Sequence, residues 1–148
     1  MRAVVQRVSR AEARIAGRTV GRIARGFTVL IGVARDDRET DAEQLADRIL
    51  GLRVFADSAG KMNLALKAVN GELLVVSQFT LLADTSAGRR PSFINAAAPD
   101  QARRLYEYFL SLVRKADVKV ETGEFGAMME IELVNDGPVT IILDTQAK

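Results

Sequence analysis

Between Phe27 and Val33 the chain runs through Phe-Thr-Val-Leu-Ile-Gly-Val, an almost unbroken apolar stretch without helical spacing. It is far too short to span a bilayer, which takes about 20 apolar residues. Its β-branched content suits a strand buried on both faces. Glu72-Leu73-Leu74-Val75-Val76-Ser77-Gln78-Phe79 has the same character and reads as a second apolar strand. Around this pair the other elements arrange themselves. Ala3 to Val8 is β-rich, and Ala13-Arg14-Ile15 and Thr19 to Ile23 flank Gly17 as the arms of a hairpin would. Thr40 with Glu43 three residues on has the spacing of a capping box, and Ala42, Leu45, Ala46 and Ile49 follow at helical intervals. A second helix opens at Pro99, burying Ala102, Leu105, Phe109, Leu112, Val113 and Ala116 and presenting Arg103, Arg104, Glu107 and Arg114 to water. Met128 to Val134 and Val139 to Leu143 read as two strands joined by Asn135-Asp136-Gly137-Pro138. The order ββ(β)αβαββ predicts an α+β fold with a largely antiparallel sheet. No repeat, linker or low-complexity tract divides it, so a single domain over residues 1–148 is expected.

What the chain lacks narrows its chemistry further. It has 148 residues with no His, no Cys and no Trp. Ser-His and Cys-His pairs, thiolate metal sites and disulfides are all absent, and a zinc or triad hydrolase is all but excluded. An enzyme built from this chain works with hydroxyls, carboxylates, amines, backbone amides or groups of its substrate. No metal site and no cofactor are assigned. Lys+Arg 21 against Asp+Glu 19 leaves a charge of +2, too mild to argue for nucleic acid by itself. With no signal-peptide pattern and no membrane-length run, a cytoplasmic location and no membrane partner are expected.

Three segments could carry function. Ser77-Gln78-Phe79-Thr80-Leu81 ends an apolar strand, where scaffolds place reactive groups; equally, a strand running into a loop uses Ser and Thr to satisfy backbone groups. Asn135-Asp136-Gly137-Pro138-Val139-Thr140 is turn chemistry, yet Gly137 leaves a bare peptide face that a ligand could approach. The third feature is arginine. Arg2, Arg7, Arg10, Arg14, Arg18, Arg22 and Arg25 crowd a stretch whose only acid is Glu12, and Arg89-Arg90 sits in a Gly-containing loop. Phosphate binding and charge-protected strand edges both fit them. The acids Asp36, Asp37, Glu39 and Asp41 suit a helix N-terminus.

Together, Met1 to Val8, Ser77-Gln78-Phe79-Thr80-Leu81, Gly88-Arg89-Arg90-Pro91-Ser92-Phe93 and Asn135-Asp136-Gly137-Pro138-Val139-Thr140 resemble the D-aminoacyl-tRNA deacylases over almost the whole chain. Leu82 stands where that family often has Tyr, and Ala87 where it often has Lys. The resemblance implies a mainly antiparallel, barrel-like α+β domain with two main helices, acting as a homodimer. It implies hydrolysis of the ester between a D-amino acid and the tRNA 3′ end. Ser77, Gln78, Phe79 and Thr80 would form the catalytic pocket, their backbone N–H groups holding the scissile carbonyl. A cis Gly137–Pro138 bond, with Asn135, Val139, Thr140 and a steadying Arg7, would reach into the partner's pocket and exclude L side chains. Glycine would pass that filter, so glycine mischarged on tRNA for alanine is a further expected substrate. Arg89 and Arg90 would contact the tRNA, and DNA is not an expected partner.

The nucleophile stays open between Thr80 and a water assisted by the terminal 2′-OH of the tRNA. Thr80 has no His and no adjacent Lys; Lys61 and Lys67 are the nearest in sequence. Two non-catalytic readings compete with the enzyme. One is an RNA-binding module using the arginines, and the other is an oligomer that buries Phe79 and Pro138.

Overall fold

The two apolar runs fold into adjacent strands at the centre of one sheet. The computed structural model describes residues 1–147. Its strands are β1 (Arg2–Ile15), β2 (Arg18–Ile23), β3 (Gly26–Gly32), β4 (Phe55–Ala56), β5 (Met62–Leu64), β6 (Glu72–Ser77), β7 (Val120–Thr122) and β8 (Glu130–Asp144); its α-helices are α1 (Glu39–Leu50) and α2 (Pro99–Arg114). β3 and β6 pair in parallel, Phe27 beside Leu73 through Ile31 beside Ser77. β6 also pairs in parallel with β7. The sheet is thus mixed at its centre. β1 meets β2, β3 and β8 antiparallel, but each parallel pair is joined by a helical crossover, α1 before β6 and α2 before β7.

β1 organises the periphery. Ala3 lies between Ile31 of β3 and Leu143 of β8, and Ala11 between Ile23 of β2 and Leu133 of β8. One edge of β1 therefore carries β3 and then β2, while β8 runs along the other. The β1–β2 hairpin turns at Ala16 and Gly17, both with positive φ, as the sequence around Gly17 predicts. β2 curls toward β7, where a Cβ on Gly21 would stand 2.5 Å from the Thr122 carbonyl oxygen. Only a residue without a side chain allows this approach, and it brings the sheet close to a closed barrel.

Two apolar clusters result. The larger joins one sheet face (Ala3, Val5, Phe27, Val29, Ile31, Leu73, Val75, Leu143) to both helices. The smaller fills the curled end with Val8, Ala11, Ala13, Ile23, Leu74 and Val76. α2 begins at Pro99 as read, but its buried face includes Tyr106 and Leu110, while Leu112 is only half-buried and Ala116 lies past the helix end. The Tyr106 hydroxyl donates to the Val75 carbonyl at 3.0 Å. Burial pushes that hydroxyl's pKa up to about 12.

α1 departs from its expected cap. The helix starts at Glu39, and the Asp41 carboxylate accepts the Arg38 N–H at 2.8 Å, so Asp41 rather than Glu43 closes the first turn. Glu39 pairs with Arg104 at 3.0 Å. Asp37 leaves the acidic cluster altogether: fully buried, it takes the Met1 α-ammonium at 2.7 Å and the Ala34 N–H at 2.6 Å. Helix electrostatics account for Glu39 and Asp41, whereas Asp37 neutralises a buried cation.

The C-terminal region also differs from expectation. The two strands read there are one strand, β8, and no hairpin separates them. Both halves run the same way along β1, which offers a single continuous edge to each. Asn135-Asp136-Gly137-Pro138 is pushed out of that ladder instead of reversing it. Among the described residues no helix is long and apolar enough to cross a membrane.

Candidate active site

Two structures carry the residues singled out from sequence. The first is the protrusion of β8. Thr140 lies opposite Gln6, and Asn135 opposite Val8. Four residues, 136–139, therefore face the single Arg7 and leave the sheet. Asn135 ties off the base, its Oδ1 accepting the Val139 N–H at 3.1 Å and its Nδ2 donating to Thr140 Oγ1 at 3.0 Å. Arg7, 15% exposed, donates from Nε to the Asp136 carbonyl at 3.1 Å and from Nη1 to the Val54 carbonyl, and meets the Asp136 carboxylate at 3.6 Å. Gly137 has φ +127, and a Cβ there would lie 2.9 Å from Arg7 Nη2 and from Val139 Cγ2. The Gly137–Pro138 peptide is cis, and both residues are exposed. Arg7, Asn135, Gly137, Pro138, Val139 and Thr140 thus gather in one place.

The second is a cleft of about 650 Å³ at the end of β6. β6 stops at Ser77, Gln78 turns the chain out of the sheet, and a short 3-10 turn spans Phe79–Leu82. Ser77, Gln78, Phe79 and Thr80 form one wall. The Gln78 N–H is consumed by the Ile31 carbonyl at 2.7 Å, which leaves the Phe79 and Thr80 amides at the head of the turn without acceptors inside it. Phe79 is 54% exposed, its ring edge-on to Phe93 with centroids 5.0 Å apart. Phe125, Met128, Met129 and Ile131 form the facing wall. None of these five partners belongs to the set chosen from sequence. Their signal was weak: Phe93 ends a quoted motif, and Met128, 91% exposed, is an apolar residue that no core explains.

No residue lining the cleft is titratable. Neither Lys61 nor Lys67 lines it, and the Thr80 hydroxyl is hydrogen-bonded to the Gln78 amide at 2.5 Å. An amide is no base in either orientation. The protrusion at Gly137–Pro138 does not line this cleft either. Within one chain, the two groups of candidate residues stand apart.

Arg89 and Arg90 lie exposed in the 85–91 loop, pinched at its base by reciprocal Asp84–Ser92 backbone bonds of 2.8 Å. The Ser86 N–H holds the Asp84 carboxyl below its ordinary pKa. Phe93 follows directly, so the basic loop hangs from the cleft wall. Among the described residues neither arginine has an ion-pair partner. Four of the N-terminal arginines differ: Arg10 and Arg14 bind Glu132, Arg14 and Arg22 bind Glu12, and Arg2 binds Asp144. Those four brace β1 and the strands beside it.

Comparison with known proteins identifies the family to which this fold belongs. Residues 4–144 match the family described as D-Tyr-tRNA(Tyr) deacylase. A D-aminoacyl-tRNA deacylase of Dehalococcoides mccartyi is 60% identical, covering 99% of this chain and 95% of the relative. One of Thermotoga petrophila is 58% identical, covering 98% and 97%. A solved structure of a c-Myc DNA Unwinding Element Binding Protein superposes with a TM-score of 0.93 at 40% identity, covering 99% of this chain and all of that one. Fold and family together define a hydrolase that acts on aminoacyl-tRNA. Within that class the chain belongs to the D-Tyr-tRNA(Tyr) deacylase family.

Proposed function

We propose that this protein hydrolyses the ester joining a D-amino acid to the 3′-terminal adenosine of tRNA, as a homodimer in which the Gly137–Pro138 protrusion of one protomer completes the Ser77–Thr80 cleft of its partner. One observation carries the reading: an uncharged cleft with free turn amides stands open, while a braced loop with a bare backbone face projects elsewhere on the same chain. A second copy supplies what each lacks.

The terminal base stacks among Phe79, Phe93, Phe125 and the methionines, since every base presents a π-face to such a wall. The Phe79 and Thr80 amides donate to the scissile carbonyl and stabilise the oxyanion; donors of this kind are worth about 10²–10³ in rate each. Water attacks, assisted by the terminal 2′-OH of the substrate, because the cleft offers no base. The backbone of Gly137 and Pro138 faces the α-amino group and Cα. An L side chain collides with it, and a D side chain points to solvent. Specificity by exclusion needs no pocket for each side chain, and it lets glycine through, so glycine on tRNA(Ala) is a second substrate. Arg89 and Arg90 contact the tRNA backbone, and the enzyme works in the cytoplasm alongside translation.

The test follows amino-acid release from D-Tyr-tRNA, L-Tyr-tRNA and glycyl-tRNA(Ala), each with and without EDTA. Release from the D and glycyl substrates, indifferent to EDTA, is expected. Release of L-tyrosine at the same rate overturns the filter. Release from none, with tRNA still bound, overturns the enzyme in favour of an RNA-binding module.

A further inference from the structure

Arg103 is one turn into α2, exposed, and reads from sequence as part of a solvated helix face. Its surroundings say more. The guanidinium carbon lies 4.6 Å from the centroid of the Phe125 ring. Phe125 is a wall of the cleft, and its ring leans on Tyr106 with centroids 5.9 Å apart. The Tyr106 hydroxyl in turn holds the Val75 carbonyl, two residues before Ser77. Arg103 is therefore coupled through two aromatic rings to the strand that presents the catalytic turn. Among the described residues it has no carboxylate partner, whereas its neighbour Arg104 is engaged by Glu39 at 3.0 Å.

A guanidinium lying on an aromatic ring spends one face on stacking and keeps its in-plane N–H donors free. That fork matches two oxygens of a phosphate. The cleft itself carries no charge, yet a tRNA 3′ end entering it brings a phosphodiester immediately before the terminal nucleoside. We propose that Arg103 forms a phosphate subsite at the cleft mouth, gripping the phosphodiester on the 5′ side of the terminal nucleotide. This rests on the deacylase reading and extends it: Phe125 and Arg103 act as one unit, the ring against the base and the guanidinium on the linkage that precedes it.

The experiment compares two substrates. D-Tyr-tRNA carries the phosphodiester; 3′-O-D-tyrosyl-adenosine has the same ester and base without it. Steady-state kcat/KM is measured on both for the wild type, Arg103→Gln, Arg103→Lys and, as a control on the paired neighbour, Arg104→Gln, with melting curves for each. In Arg103→Gln the ratio of kcat/KM on the tRNA to that on the adenosine ester falls about tenfold, the order expected for losing a charged hydrogen bond. The loss appears in KM. The slope of log kcat/KM against log salt becomes shallower by about 0.7, one single-strand phosphate contact. Arg103→Lys keeps the salt slope and recovers part of the ratio, and Arg104→Gln shifts neither. Equal losses on both substrates in Arg103→Gln show an arginine that only braces Phe125, and overturn the subsite. Wild-type ratio and slope in Arg103→Gln overturn it as well. Wild-type protein that cleaves neither ester overturns the deacylase reading, and the subsite falls with it.

Discussion

Thr80 is the hydroxyl a reader of the sequence picks first as nucleophile, and its surroundings argue otherwise. Its Oγ1 is engaged by the Gln78 amide, and no lysine, carboxylate or other titratable group lines the cleft around it. A hydroxyl without a base attacks poorly, which favours the proposed assistance from the terminal 2′-OH of the substrate. Thr80→Val is expected to retain most of the D-Tyr-tRNA deacylation rate. Substrate ending in 2′-deoxyadenosine is expected to react about 10²-fold or more slowly, the scale of a lost general base. Single-turnover rates on the two substrates check this, and full activity on the deoxy substrate would assign the chemistry to the protein. At this scale the sequence was informative about identity and silent about neighbours. Ser77 to Thr80 could be named, but that Gln78 spends its N–H on Ile31 follows from strand pairing 47 positions apart (78 − 31). Asp37 is the sharper case. Local charge pattern made it a helix-cap residue, and only the packing of the N-terminal strand brought an ammonium to it.

The elements divide by how their information is distributed. β3, β6, α1, α2 and the Gly17 hairpin declare themselves locally, through apolar runs, helical spacing and turn residues. β7 does not, because three residues hold no periodicity to read. β8 was misread for a physical reason: Asn-Asp-Gly-Pro is strong turn chemistry, but fourteen-residue β1 pairs with both flanks of it, and many ladder bonds outweigh one local preference. Ion pairs reinforce β1 against both β2 and β8. Arg22 and Thr19 donate to Glu12, and Arg10 and Arg14 to Glu132, holding both carboxyls below their ordinary value of 4.5. Groups that titrate lower in the folded chain add stability above the unfolded value and lose it as pH falls through the lowered one. The melting temperature is therefore expected to drop on acidification below about pH 4.5. Glu132→Gln melts below the wild type at neutral pH, and the gap closes in acid. Added salt narrows the gap too, since these side chains are partly exposed and screened. Melting curves from pH 3 to 8 at two salt concentrations measure both effects; a gap that persists in acid would remove the charge from the explanation.

For the whole molecule the question is whether cleft and protrusion meet across protomers. Gly137→Ala damages the loop alone, since its Cβ would press on Arg7 and Val139 at a φ of +127 that costs an L residue about 1–3 kcal/mol. Phe79→Ala damages the cleft alone. Each variant by itself is expected to be nearly inactive. Subunits exchanged one to one form hybrids holding one intact composite site, so about a quarter of wild-type activity returns if the loop works in trans, as two-fold symmetry dictates. No recovery would place loop and cleft in cis and remove the dimer from the mechanism. The sequence by itself determined the α+β class, the helices, the central strands and, by lacking His and Cys, a chemistry limited to hydroxyls, carboxylates, amines, backbone amides or groups of the substrate. Those properties depend on residue type and short spacing. The tertiary structure decided the parallel centre of the sheet, the single strand β8 with its four-residue protrusion opposite Arg7, the aromatic wall opposite Phe79 and the stacking of Arg103 on Phe125. Each of these is a contact between residues distant in sequence, chosen by which strands share an edge and which side chains then fill the space between them.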